Sequence, residues 1–221
     1  MNINAKILEE QELFDDWKER DPSIILDGVV SWFDYANSAI IILFVLKEVN
    51  SDESDWDLRE FLKDGGRSFT WNNITRWIIG IRNINTDYDW STIENIEPEQ
   101  RREYLKTVDA INMKKATGGK DVADNGIIYK HALNDSELLK RQIDIYEPDL
   151  IICCGTADAF FDSVYKDIKV DWKMTHNGLW YVIDGKRTII AYNHPEARVS
   201  ANFLYYPLMD ALREISKERH L

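Results

Sequence analysis

Cysteine is scarce in this chain. There are two in 221 residues, Cys153 and Cys154, and they are neighbours. Adjacent thiols do not form an ordinary structural disulfide, and two are too few for a four-cysteine iron–sulfur site. They lie in an apolar run and read as small core residues. Long hydrophobic runs are also missing. None approaches the roughly 20 residues of a membrane span, and the longest, residues 39–46, suits a buried strand. The opening Met1-Asn2-Ile3-Asn4 carries neither the basic nor the apolar region of a signal peptide. The expected location is therefore cytoplasmic, with no membrane partner. Positive charge is short too: 27 Lys and Arg stand against 39 Asp and Glu, a net charge of −12. That argues against a protein that coats nucleic acid non-specifically, and it leaves room for a local basic groove.

What is present is enough apolar material for a packed core: 44% hydrophobic and 12% aromatic residues. The length fits one domain over residues 1–221. Its N-terminal part, residues 1–38, reads as helical, notably around residues 29–35. Acids crowd into residues 9–21 and 87–103. The second tract marks an acidic insert over residues 83–106, and both read as solvated faces.

Four short apolar runs dominate the rest: residues 39–46, 108–111, 149–154 and 188–192. Mostly continuous rather than alternating, they look like strands covered on both faces, as in a parallel sheet. Residues 179–183 read as a strand, and the turn Asp184-Gly185 leads back into the fourth run. Between the runs lie helical stripes. These are Ile74, Trp77, Ile78 and Ile81; Leu139, Gln142, Ile143 and Tyr146; and Leu208, Ala211, Leu212 and Ile215. Asp135 or Ser136 is placed to cap the second, and Pro207 to open the third. The fold class predicted is α/β, a three-layer α/β/α sandwich on a mostly parallel four-stranded central sheet.

In such a sheet ligands bind beyond the carboxyl ends of the strands. After the first run comes Lys47-Glu48-Val49-Asn50, and after the second Asn112-Met113-Lys114-Lys115. Gly155-Thr156 follows the third, and Asn193-His194-Pro195-Glu196-Ala197-Arg198 the fourth. Taken singly, Glu48 is a surface acid, Asn112 a turn residue and His194 a structural histidine. Together at one sheet edge they form a catalytic constellation. A carboxylate orients water or opposes a sugar cation, a histidine hydrogen-bonds charge on a leaving group, and an asparagine reads a base edge with donor and acceptor.

These segments, in this order, resemble the uracil-DNA glycosylase superfamily over about residues 39–212. Lys47-Glu48-Val49-Asn50 is similar to the family's Gly-Glu-Ala-Pro-Gly or Gly-Gln-Asp-Pro-Tyr motif. Gly65-Gly66-Arg67-Ser68-Phe69 resembles its Gly-x-Pro-Phe segment, and Asn112 to Lys115 its Asn-x-x-Lys strand end. Residues 142–155 resemble its helix and third strand. His194-Pro195-Glu196-Ala197 resembles its final His-Pro-Ser or His-Pro-Ala motif. The resemblance implies a uracil-DNA glycosylase-like sandwich and a monofunctional, cofactor-free and metal-free hydrolase. Such an enzyme flips a base from DNA and cuts its N-glycosidic bond, leaving an abasic site. Glu48 would direct water and His194 would assist the leaving base. Asn112 would read the base edge, and Phe69, or Trp71 in its place, would stack on the base. Asn50 would lie beside the base. Lys47, Lys114 and Lys115 would contact DNA, with Lys120 beside Gly118-Gly119 as a further phosphate contact. Arg198 would fall near the wedge that fills the emptied stack.

The departures bear on the substrate. Lys47 and Asn50 replace glycine and proline, the iron–sulfur cysteines are absent, residues 51–64 lengthen the step from acid to stacker, and Arg198 replaces an apolar wedge. They point away from plain uracil, toward a deaminated purine or a bulky modified pyrimidine. Glucosylated phage cytosine is one such base, which would give the protein an antiviral role. Two other readings stay open: a nucleoside hydrolase or transferase using the same site, and a catalytically inactive nucleic-acid- or protein-binding module.

Overall fold

In the computed structural model, residues 2–50, 56–86, 88–118 and 123–218 are described. Seven strands form one sheet: β1 (Gly28–Val29), β2 (Ile42–Leu46), β3 (Asp109–Asn112), β4 (Leu150–Cys154), β5 (Lys173–Met174), β6 (Trp180–Asp184) and β7 (Arg187–Tyr192). Their spatial order is β1-β3-β2-β4-β7-β6-β5. The four central strands, β3, β2, β4 and β7, pair in parallel. They are the four apolar runs of the sequence. The sheet is larger than the four strands expected. β1 adds antiparallel to β3 at one edge, and β6 and β5 add antiparallel beyond β7 at the other. β1 and β5 are two residues each, too short for any periodicity to reveal.

Burial on both faces explains the continuous apolar strands. Successive side chains point to opposite faces, so Ile42, Phe44 and Leu46 join one core while Leu43 and Val45 join the other. The first core is covered by α3 (Leu58–Lys63), α4 (Ser68–Arg82), α5 (Trp90–Ile93), α6 (Pro98–Leu105) and α10 (Ala201–Glu218). The second is covered by α1 (Ile3–Arg20), α2 (Trp32–Ala36), α7 (Asn125–Asn134), α8 (Ser136–Tyr146) and α9 (Ala157–Val164). The result is the α/β sandwich expected. None of the described helices is long and apolar enough to cross a membrane.

Three local expectations need correction. Helix α2 starts at Trp32, not near Val29, because Ser31 caps it and Gly28 takes φ +116°, turning the chain into β1 instead. Helix α10 starts at Ala201, so Pro207 lies inside it rather than opening it. The missing N–H removes one helical bond, which the long buried stripe Leu204, Leu208, Ala211, Leu212 and Ile215 offsets. The acidic insert is not merely solvated. Ile93, Ile96 and Leu105 are core residues, and the buried Arg101 donates to the Gly65 carbonyl (2.6 Å) and to Asn72 (2.7 Å). The insert therefore braces the turn that precedes α4.

Below the end of β3 lies a buried polar network. Asp27, fully buried, accepts from the Asn112 backbone N–H (2.7 Å), from Lys115 Nζ (2.7 Å to each oxygen) and from Gln142 Nε2 (3.0 Å). Lys115 also donates to Gln142 Oε1 (2.8 Å) and sits 4.8 Å from the centre of the Trp17 ring. Gln142 passes the chain of bonds to Tyr146, whose hydroxyl donates to Glu10 (2.6 Å). Thus Lys115, expected at a DNA phosphate, is only 2% exposed and is spent on holding the fold. Burial pulls its pKa down and Asp27 opposes the fall.

Breaking a buried ion pair by removing one partner leaves a buried charge uncompensated, at a cost of about 3–5 kcal/mol. Lys115→Ala is therefore expected to destabilise the protein by that amount in urea or thermal unfolding. A loss below about 1 kcal/mol, the scale of an exposed pair, would show that the Asp27–Lys115 bond does not form in solution.

Candidate active site

The parallel register aligns the carboxyl ends of four strands. Leu46 sits opposite Asn112, Val45 opposite Cys153, and Cys154 opposite Tyr192. The residues that follow the strands therefore emerge at one edge, and those at the ends of β2, β3 and β7, but not Gly155 or Thr156 after β4, open onto one cleft of about 990 Å³. Lys47, Glu48, Asn50, Phe69, Asn112, His194 and Arg198 all line it. Lys114 reaches it only through Glu48, and Lys115 points to the opposite side. Gly119 and Lys120 lie outside the described residues.

Glu48 follows β2 by two residues. Its side chain is 8% exposed, and Oε2 accepts from Lys114 Nζ at 2.5 Å. Lys114 donates as well to the Thr117 carbonyl (2.9 Å). Lys114, expected at DNA, thus faces the proposed acid.

Asn112 ends β3. Its backbone N–H has passed the last partner on β1 and is taken up by Asp27. Its side chain is a different matter. The residue is 1% exposed, and Nδ2 has no hydrogen-bond partner among the described residues. A buried amide donor left unpaired costs free energy of order 1–3 kcal/mol, so this one calls for a partner from the cleft, water or a ligand. Among the described residues Trp17 Nε1, Trp77 Nε1, Arg82 Nε and Asp109 Oδ1 share that condition. None of their residues lines the cleft.

His194 follows β7. Its Nδ1 accepts from the Glu196 backbone N–H (3.1 Å), which places the ring proton of the neutral form on Nε2. Burial lowers its pKa below the ordinary 6.5, with Lys47 and Arg67 adding to the fall and Glu196 opposing it. Burial thus favours the neutral ring, which offers one N–H donor. The loop that carries it is tied to the start of α4. Arg67 and Thr70 both bond the Glu196 carboxylate, and Asn73 Nδ2 donates to the Pro195 carbonyl (2.8 Å). The partner of Glu196 is thus Arg67.

The rim is of another kind. Phe69, in the first turn of α4, is 69% exposed, whereas Trp71 is buried against Gly66. Phe69 stands at the rim, and Trp71, though buried, also lines the cleft. Asn50 and Arg198 are exposed. Lys47 Nζ donates to Asn125 (2.9 Å), and no carboxylate pairs with Lys47 or Arg198 among the described residues. The back wall comes from the long step after Glu48: Trp56, Leu58 and Phe61 line the cleft, with the Trp56 and Phe61 rings 4.7 Å apart.

Sequence reasoning missed Arg67, Thr70 and that aromatic wall, and it read Gly118 only as part of a phosphate contact. Arg67 sits inside a motif noted only for its aromatic, and the rest have no local signature. Among the described residues no group of three or more His, Cys, Asp or Glu is placed to hold a metal ion. No protein-family model matches the chain, and no curated protein matches it.

Chemically, the cleft combines a carboxylate, an unpaired amide and a neutral imidazole N–H, with an exposed ring at the entrance. The His194 ring is expected to titrate below 6.5 in an NMR pH series. By linkage, its buried neutral form contributes stability that is complete above the ordinary imidazole range and is lost as pH falls through the lowered pKa. A midpoint above 6.5 would mean that the ring is stabilised as a cation and works as an acid.

Proposed function

We propose that the protein is a monofunctional DNA glycosylase that extrudes a nucleotide and hydrolyses its N-glycosidic bond. The observation that carries this reading is the buried, unpaired Asn112 amide beside Glu48 and a neutral His194 in one cleft. A base edge supplies the acceptor that Asn112 lacks. Phe69 offers its face to the base plane, and Lys47 and Arg198 offer cations for flanking phosphates.

The reaction this supports is a dissociative one. The C1′–N bond breaks with its electron pair going to the base. His194 Nε2–H donates a hydrogen bond to the charge that develops there. Glu48 faces the cationic sugar and accepts a proton from the water whose oxygen bonds C1′. The products are the free base, once protonated, and an abasic site.

The pocket favours a base larger than uracil. Its volume is near the top of the range of about 300–1,000 Å³ for small-molecule sites, and Trp56, Leu58 and Phe61 give it an apolar annex. A bulky modified pyrimidine, such as a glucosylated hydroxymethylcytosine of phage DNA, fits that shape and would make the enzyme an antiviral one.

The test is abasic-site formation on matched duplexes holding uracil, hypoxanthine, hydroxymethylcytosine or its glucoside, beside the free nucleosides. Release of a modified base ahead of uracil is expected, with free nucleosides poor substrates. Glu48→Gln should slow release by at least about 100-fold while DNA binding survives. Uracil released fastest by a wide margin would overturn the large-base reading. Nucleosides cleaved as fast as DNA would make this a nucleoside hydrolase.

A lyase needs a free amine to attack C1′. Lys47 and Lys114 both have hydrogen-bond partners, Asn125 for one and Glu48 with Thr117 for the other. Borohydride is therefore expected to trap no covalent protein–DNA adduct. A trapped band, lost on substitution of either lysine, would assign lyase activity to it.

A further inference from the structure

Segment 113–118 folds back over the loop that carries Glu48. The Met113 N–H donates to the Leu46 carbonyl (2.9 Å), the Lys114 N–H to Lys47 (3.0 Å) and the Gly118 N–H to Val49 (2.8 Å). Val49 and Thr117 form a parallel bridge. The two segments are thus laced together past the ends of β2 and β3. At the centre of the lacing, Lys114 Nζ is shared between Glu48 Oε2 and the Thr117 carbonyl.

Gly118 closes the arrangement. A Cβ at this position would lie 2.3 Å from the Glu48 carboxyl carbon and 2.4 Å from Oε1. Only a residue with no side chain lets the backbone cover the carboxylate so closely. Two independent features, a cation on one oxygen and a bare backbone against the group, therefore fix where Glu48 points.

We propose that Lys114 and Gly118 are positioning residues for Glu48. Lys114 locks Oε2, and the Gly118 backbone blocks rotation of the carboxylate. Oε1, which has no partner among the described residues, is left for water and substrate. The inference rests on the glycosylase reading for its kinetic consequence, but not for the clasp itself. It assigns Lys114 a task other than phosphate contact. A carboxylate already fixed in direction needs no reorganisation when the sugar cation forms, and small misplacements of such groups cost about 100-fold in rate.

The experiment compares the wild type with Lys114→Gln, Lys114→Arg and Gly118→Ala, each confirmed folded by circular dichroism. The first readout is carbodiimide labelling of Glu48, followed by mass spectrometry, which needs no activity. Labelling is expected to rise several-fold in Lys114→Gln and Gly118→Ala, and to stay near wild type in Lys114→Arg. The second readout is single-turnover base release with DNA affinity measured separately. Release is expected to fall about 10–100-fold in Lys114→Gln and Gly118→Ala with affinity within about 2-fold, and Lys114→Arg should recover most of the rate. Unchanged labelling in both disrupted variants would overturn the clasp. Weakened DNA binding with a shallower salt dependence and an unmoved rate would overturn it too, and make Lys114 a phosphate contact. If the wild type releases no base from any duplex, the glycosylase reading falls, and the labelling still decides whether the clasp exists.

Discussion

The Asp27 carboxylate holds the centre of this molecule in place. Strand β3 runs out of backbone partners just where its last residue, Asn112, must face the cleft. Asp27 takes that orphaned N–H, and with its remaining capacity binds Lys115 and Gln142. A fully buried carboxylate is costly unless each oxygen is satisfied, and here both are. The same bonds fasten the chain before β1 to the end of β3 and to α8. The Asn112 side chain can then remain buried and unpaired on the other face, because its backbone is fixed from below.

A second anchor works from above. Helix α4 begins at the cleft, and Arg67, Thr70 and Asn73 grip the loop that follows β7. The acidic insert in turn braces Gly65 through Arg101. Each proposed reacting group is thus held by a different support: Asn112 by Asp27, His194 by the Glu196 loop, and Glu48 by Lys114. Groups held this way need little rearrangement on binding, which is where much catalytic advantage arises.

Charge is distributed to match. The chain carries −12 overall, yet the cleft is not acidic. Lys114 offsets Glu48 and Arg67 offsets Glu196, leaving Lys47 and Arg198 without a carboxylate among the described residues. An acidic exterior discourages non-specific contact with a polyanion, while two cations at one entrance favour a phosphate only where the cleft can be used.

The architecture was largely legible because apolar continuity and helical spacing are local properties. Residues 149–154 and 188–192 could be little else than covered strands, and a parallel order brings their ends to one edge. That logic alone gathered Glu48, Asn112 and His194. Two-residue strands such as β1 and β5 escaped it, since they carry no period. Pro207 misled it, because a proline suits a first turn and only packing along α10 could overrule that.

Lysines 114 and 115 mark the limit most clearly. In sequence they are adjacent, chemically identical and read alike as DNA contacts. In the fold they part. Lys114 turns to Glu48, 66 residues away, and Lys115 to Asp27, 88 residues away. The sequence by itself determined the four central strands, their ends and the residue types gathered there, since these follow from hydrophobic pattern and neighbours. Which lysine serves the site and which the core, and whether an exposed ring or a buried one guards the entrance, was decided only by tertiary structure. Such choices depend on partners distant along the chain and on burial, and neither is written locally.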